Sequence, residues 1–404
     1  MTYRSKVATV FLLGFFLDLI NMFIASVAFP AMSQALHASV GELAWVSNGY
    51  IAGLTLVLPF SAWLSQRFGA RRIFLLSLSL FSVGALASGQ ADSLTSLVLW
   101  RALQGMGGGL LIPIGQALTW QQFKPHERAK LSAAVMMVGL LAPACSPALG
   151  GVLVQSLSWR WVFFVSLPLA FITLGLAAAW LKDENNTPRT RRFLHLPLLR
   201  DPLLRFSMLV YLCVPGTFIG INVVGMFYLQ NVTGLSPSTI GSLMLPWSLA
   251  SFVAISVTGR YFNRLGPRPL IATGCLLQAA GILLLVGVDP HTAGSTLILA
   301  FTLMGAGGSL CSSSAQSSAF LNVANPDMPD ASALWNINRQ LSFLIGSAVL
   351  AALLSALLRY YPTALAWRGV FITAAVVTLV PLLNCLRFNN RAIVMHLQSK
   401  MENQ

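Results

Sequence analysis

Runs of about 20 apolar residues, broken by short polar stretches, recur along this chain from end to end. Twelve can be traced, at approximately 7–31, 44–64, 73–90, 96–118, 131–154, 162–181, 206–230, 240–258, 269–289, 296–318, 332–356 and 369–386. A bilayer core of about 30 Å is crossed by about 20 residues of α-helix. Helices satisfy their own backbone hydrogen bonds, which lipid cannot do for them. The expectation is therefore an all-α integral membrane protein. Composition agrees: 56 % hydrophobic and 9 % charged residues, with a mean hydropathy of +0.74, cannot cover a soluble globule with polar surface. The first run exceeds the apolar region of a signal peptide and no small-residue cleavage site follows it, so it reads as the first membrane helix.

The formal net charge of +14 does not point to nucleic acid, because the basic residues form no stripe and no aromatic-interleaved groove. They fix orientation. With the N-terminus inside, twenty Lys and Arg residues fall on the cytoplasmic side and only Arg160, Arg359 and Arg368 on the other. That bias predicts that both termini are cytoplasmic, and it supports an even number of spans. The five cysteines have no C-x-x-C spacing and read as packing residues. His126-Glu127 lacks the second His of a zinc-protease helix, and no G-x-S-x-G elbow occurs. No metal site, cofactor or enzymatic chemistry is expected.

The chain repeats itself. "SAWLSQRFGARR" at 61–72 returns as "TGRYFNRLGPRP" at 258–269, an offset of 197 when Gly69 is set on Gly266. "RALQGMGGGL" at 101–110 returns as "FTLMGAGGSL" at 301–310, offset 200, and "WRWVF" at 159–163 as "WRGVF" at 367–371, offset 208. Three ordered matches at nearly one spacing predict two homologous bundles of six helices. The N-terminal bundle is residues 1–181, the cytoplasmic linker 182–205, the C-terminal bundle 206–386 and the cytoplasmic tail 387–404. Parallel six-helix halves are a transporter architecture with a site near the bilayer midplane.

These motifs resemble those of the major facilitator superfamily over nearly the full length. "AWLSQRFGARR" is similar to the superfamily's G-x-L-x-D-R-x-G-R-R loop between helices 2 and 3, and "RALQGMGGG" to its R-x-x-Q-G-x-G motif on helix 4. "APACSPALGG" at 142–151 resembles the helix 5 antiporter motif, and "WRWVFFVSLP" at 159–168 the start of helix 6 in drug:proton antiporters. The resemblance implies the twelve-helix fold, alternating access and proton-coupled efflux of the multidrug type. The chain departs from the pattern in places. Gln66 and Asn263 replace the loop Asp, so neither loop offers the carboxylate that the family uses to hold its inside gate. Ser146 replaces a Gly. When the helix 1 motif is matched at Pro30, Asn21 stands where its Asp belongs.

Ionisable groups within the membrane are costly and therefore functional candidates. Three occur: Asp18, Arg101 and Arg339. Asp18 lies roughly 16 Å into the first helix, on the face it shares with Asn21. Arg101 falls at about the depth of Asn21. Asp18 is the expected proton carrier with Arg101 as its modulator; a purely structural Asp18–Arg101 pair is the alternative. Cargo contacts are expected from Asn21, Gln104, Asn222, Trp247, Gln278, Ser313, Gln316 and Arg339, the polar and aromatic groups of an otherwise apolar interior. Gating is expected of Gly69, Arg71, Gly266 and Arg268 at the repeated turns, and of Pro143, Pro147, Gly150 and Gly151 on the fifth helix. Ordinary loop punctuation and close helix packing are the alternatives there.

The reading is a monomeric, proton-coupled exporter of small molecules in a bacterial inner membrane, energised by the proton gradient and using no cofactor. A dedicated exporter of a metabolite or siderophore, suited to anionic cargo by two buried Arg, is the alternative; a membrane enzyme or sensor is a remote one. Single cysteines at Thr190 and Asn390, which sit among the orienting Arg residues, are expected to react with impermeant thiol reagents only from the cytoplasmic side. Labelling of either from outside would overturn this topology.

Overall fold

A computed structural model describes all residues except 183–193, 232, 236, 290, 292–293, 386–388 and 403–404. The described residues are helical or irregular, with no strand among them. Spans 1 to 6 are Tyr3–Val27, Val40–Val57 running on through Leu58–Phe60 into Ser61–Phe68, Ala70–Gln90, Leu94–Gln122, Arg128–Ser156, and Trp161–Phe164 with Ser166–Trp180. Spans 7 to 12 are Pro202–Tyr211 continued through Leu212–Gly216 into Thr217–Asn231, Met244–Leu265, Pro267–Val286, Gly294–Ala319, Met328–Tyr360 and Thr363–Cys385. Eleven helices among the described residues are long and apolar enough to cross a membrane. Met244–Leu265, the eighth span, is 22 residues long, but its last third is polar. The chain is a multi-pass membrane protein.

Local signals set many of the ends. Ser39 and Glu42 form a reciprocal capping box at the start of span 2. The Ser93 side chain accepts from Ser96 N ahead of span 4, and Asp201 caps the Pro202 start of span 7 by accepting from Leu203 N. The repeated turns, at the end where the Lys and Arg residues gather (the basic end), hinge on Gly69 with φ 92° and Gly266 with φ 76°, values that side chains resist. At the opposite end, Arg160 donates to the carbonyls of Gly89 and Ala91 and pairs with Asp92 at 3.0 Å, tying span 6 to the end of span 3.

The duplication is visible in the packing. Span 4 packs on spans 1, 2 and 3 as span 10 packs on 7, 8 and 9, and span 6 meets span 3 as span 12 meets span 9. Glycines permit this closeness, since helices in lipid gain by van der Waals contact at small residues. A Cβ on Gly105 of span 4 would overlap the Tyr50 carbonyl, and one on Gly305 of span 10 would overlap the Trp247 carbonyl.

Two compact units result. One comprises Met1–Lys124, Val138–Leu196 and Val323–Ile337; the other comprises Pro125–Met137, Pro197–Asn322 and Asn338–Gln404. Each unit therefore includes the basic-end turns of a span whose remainder belongs to the other. Spans 5 and 11 also bury the least, with 19 % and 11 % of their apolar windows covered. Residues 183–193 of the expected linker, including Thr190, lie outside the described residues.

Candidate functional site

In the first unit, polar groups from spans 1, 2, 4 and 6 converge in the buried interior. Asp18 is 1 % exposed and Asn21, Arg101 and Gln104 are fully buried. Arg101 donates from Nε to the Val46 carbonyl at 3.2 Å, from Nη1 to Gln104 Oε1 at 2.7 Å and from Nη2 to the Asn21 carbonyl at 3.0 Å. Gln104 Nε2 donates to Asn21 Oδ1 at 2.9 Å, which also receives the Ser166 hydroxyl at 3.5 Å. Asn21 Nδ2 returns to the Leu17 carbonyl at 3.0 Å. A buried guanidinium is tolerated only when its donors are met in this way.

Asp18 is engaged differently. Its Oδ1 accepts the Tyr50 hydroxyl of span 2 at 2.5 Å, and the Tyr50 ring lies beneath the Arg101 guanidinium at 4.3 Å, with Phe163 at 5.5 Å. The ring thus stands between cation and carboxylate, touching both. Gly108 makes the room, because a Cβ there would overlap Asp18 Oδ1 and come within 2.9 Å of the Tyr50 hydroxyl. The structure brings Asp18, Asn21, Arg101 and Gln104 together, with Arg101 on the Asn21 backbone and Gln104 on its side chain. Tyr50 escaped the sequence analysis. The available signal was a phenol inside an apolar span, which requires a polar partner.

The second unit holds the remaining candidates. Gln278, Ser313 and Gln316 are buried. Gln278 Nε2 donates to the Val214 carbonyl at 2.8 Å. That carbonyl sits in the π-helical turn Leu212–Gly216, where Pro215 interrupts span 7. Gln278 Oε1, Ser313 Oγ and Gln316 Nε2 have no hydrogen-bond partner among the described residues. Trp247 is partly buried and stacks on Phe218, with centroids 5.4 Å apart and planes at 8°. Asn222 is partly buried one turn beyond Phe218, and Arg339 is partly buried on span 11. The expected packing role of the cysteines fits Cys213, Cys275, Cys311 and Cys385, which are buried, whereas Cys145 is exposed. Cys275 and Cys311 place their sulfurs 3.8 Å apart.

At the basic end the gating candidates spread over several contacts. Arg71 Nη2 donates to the Ala178 carbonyl near the end of span 6 at 2.8 Å. Arg268 N donates to Asn390 Oδ1 at 3.1 Å, and Asn390 Nδ2 donates to the Leu265 carbonyl at 2.7 Å, so the helix Asn390–Glu402 braces the Gly266 turn. Gly150 faces Ile24 and Val27 of span 1, whereas Gly151 faces open space. Pro143 is partly buried. The side chain of Pro147 lies outside the described ones, although its backbone is helical.

Gln66 makes a contact that the sequence analysis did not foresee. Its Nε2 donates to Asp330 Oδ2 at 2.8 Å while Asp330 Oδ1 accepts the backbone N–H of His195 at 3.0 Å. The turn supplies the amide of this contact and the basic end of span 11 supplies the acid. Asn263, the second copy of Gln66, donates to the His126 carbonyl at 2.6 Å just before span 5. Buried Arg128 at the start of span 5 donates to the Phe320 carbonyl.

The family model for the Major Facilitator Superfamily matches residues 11–347 and 208–394. The "Multidrug resistance protein B homolog" of Mycobacterium tuberculosis is 26 % identical over 397 residues, covering 83 % of this chain and 73 % of that protein. The "Putative multidrug resistance protein MdtD" of Escherichia coli is 35 % identical over 233 residues, covering 57 % of this chain and 45 % of that one. Among solved structures, the human organic anion transporter MFSD10 superposes with a TM-score of 0.77 at 17 % identity, over 95 % of this chain and all of that one.

Replacing Gln66 with Glu sets two carboxylates against each other at the Asp330 contact. The Gln66→Glu variant is expected to lose about 1–3 kcal/mol of stability, seen as a lower melting temperature. Adding Asp330→Asn, which returns an amide to the pair with reversed polarity, is expected to recover most of it. Equal melting temperatures for wild type and Gln66→Glu would contradict this assignment.

Proposed function

The chain belongs to the Major Facilitator Superfamily, and from that premise we propose that it is a proton-coupled exporter of small molecules, of the multidrug type, with Asp18 as the proton carrier. The observation carrying this reading is the Tyr50-bound carboxylate of Asp18, buried at the centre of the first unit among otherwise committed polar groups. A hydroxyl can donate to a carboxylate and, by rotating, accept from a carboxylic acid. Asp18 therefore has a partner in either protonation state. Arg101 stays charged and fixed behind the Tyr50 ring.

The mechanism is alternating access in a bacterial cytoplasmic membrane, with both termini on the cytoplasmic side. Supporting it, spans 5 and 11 each give their basic-end turns to one unit and their remainder to the other. At that end Gln66 holds Asp330 within the first unit and Arg128 holds Phe320 within the second, so each borrowed turn is fastened to the unit it belongs to. Curated relatives named as multidrug resistance proteins support the cargo class. Neutral or cationic cargo is favoured over anionic cargo because three Arg101 donors are turned onto protein acceptors. The protein works as a monomer without a cofactor, drawing on the proton gradient.

Asp18→Asn keeps the side-chain shape but cannot titrate. It is expected to abolish cargo movement driven by a pH gradient in proteoliposomes while the protein stays folded. Adding Asn21→Asp, which moves the acid to the residue whose carbonyl Arg101 already holds, is expected to recover part of it. Full coupling in Asp18→Asn would remove Asp18 from the mechanism.

A further inference from the structure

The two units carry the same contact with opposite chemistry. Gly105 lets span 4 approach the Tyr50 carbonyl, and Gly305 lets span 10 approach the Trp247 carbonyl. Tyr50 and Trp247 therefore occupy equivalent places, at the offset of 197 that relates the two repeated turns. The side chain of Tyr50 reaches Asp18 of span 1; that of Trp247 reaches Phe218 of span 7. Phe218 thus stands where the first unit keeps its carboxylate, at an offset of 200. The replacement extends around it: Phe301 and Met304 stand where Arg101 and Gln104 do, and with Ile221 they belong to one buried apolar cluster on which Phe218 and Trp247 pack.

We propose that the Phe218–Trp247 stack is the cargo-recognition element of the second unit and that it selects planar aromatic molecules, an inference that rests on the exporter reading and names its substrate class. The rings are nearly parallel, at 8° and 5.4 Å, and both are only partly buried. Part of the paired ring surface is therefore left for a third ring, and stacking is the contact that parallel rings favour. Asn222, on the same helix face as Phe218 at four residues' spacing, supplies one amide to orient a heteroatom. Ile221, Phe301 and Met304, in the cluster on which the two rings pack, are apolar, and planarity is the property assigned to this element. The first unit handles the proton and the second handles the ring system.

The experiment is equilibrium binding of two planar probes, cationic ethidium and neutral 1-aminoanthracene, to the full-length protein in nanodiscs. Phe218→Leu and Trp247→Leu keep apolar volume but lose a ring, and each is expected to weaken both probes about tenfold, the scale of one lost stacking contact. Trp247→Phe is expected to stay within about twofold of wild type, which separates ring loss from misfolding. As a second measurement, ethidium is expected to slow alkylation of a cysteine placed at Asn222. Unchanged affinity in both Leu variants, unprotected Asn222→Cys, or no binding of either probe to wild type overturns the proposal. Asp18→Asn is expected to keep the ring-dependent binding. Ring-dependent binding in a protein that moves no cargo would sink the exporter reading alone; proton-driven transport with ring-indifferent binding would sink this inference alone.

Discussion

A guanidinium taken into a membrane interior must have its donors met, and the first unit is arranged around that requirement for Arg101. The cost of leaving such a group unsatisfied is several kcal/mol, enough to dictate the identity of its neighbours. Two of its acceptors are backbone carbonyls, Val46 and Asn21, and the third is Gln104. Gln104 is then oriented to donate to Asn21, which fixes the face of span 1 that looks inward. Asp18 shares that face. Its carboxylate consequently points at span 2, where Tyr50 waits under the same guanidinium. Glycines 105 and 108 are part of the same solution, since a Cβ at either would displace Tyr50 or Asp18.

The second unit repeats the packing without the charge. Span 10 has no cation to satisfy at Phe301, so nothing there requires Gln at 304 or a polar face on span 7. Apolar and aromatic side chains fill the equivalent volume. Duplication preserved the helix contacts, which glycine spacing dictates, while the interior chemistry diverged.

Much of the fold was legible in the sequence because lipid leaves few alternatives. Apolar runs located the spans, and the repeated Gly69 and Gly266 turns announced the two halves. Ends were less exact: the eighth run stops near 258, whereas its helix continues to Leu265. Hydropathy falls at the first polar residue, but a helix persists into the headgroup region until something such as Gly266 ends it. Within the site, depth along a helix correctly put Arg101 level with Asn21. Tyr50 stands in an apolar run that averages its hydroxyl away, so only the phenol itself, with its need for a polar partner, marked the position. Gln66 and Asp330 lie 264 residues apart, and no local pattern announces such a contact. The same holds for the Phe218–Trp247 stack, whose meaning appears only when its contact is compared with that of Tyr50 and Asp18.

The central claim is that one buried carboxylate exchanges its proton as cargo binds. Its most direct test is the proton released into weakly buffered solution when ethidium is added to the purified protein, followed with a pH-sensitive dye. Near the midpoint of the pH profile, wild type is expected to release up to about one proton per cargo bound, since one carboxylate is available to titrate. Asp18→Asn, binding the same cargo, is expected to release none. Equal release by the two proteins would contradict the account.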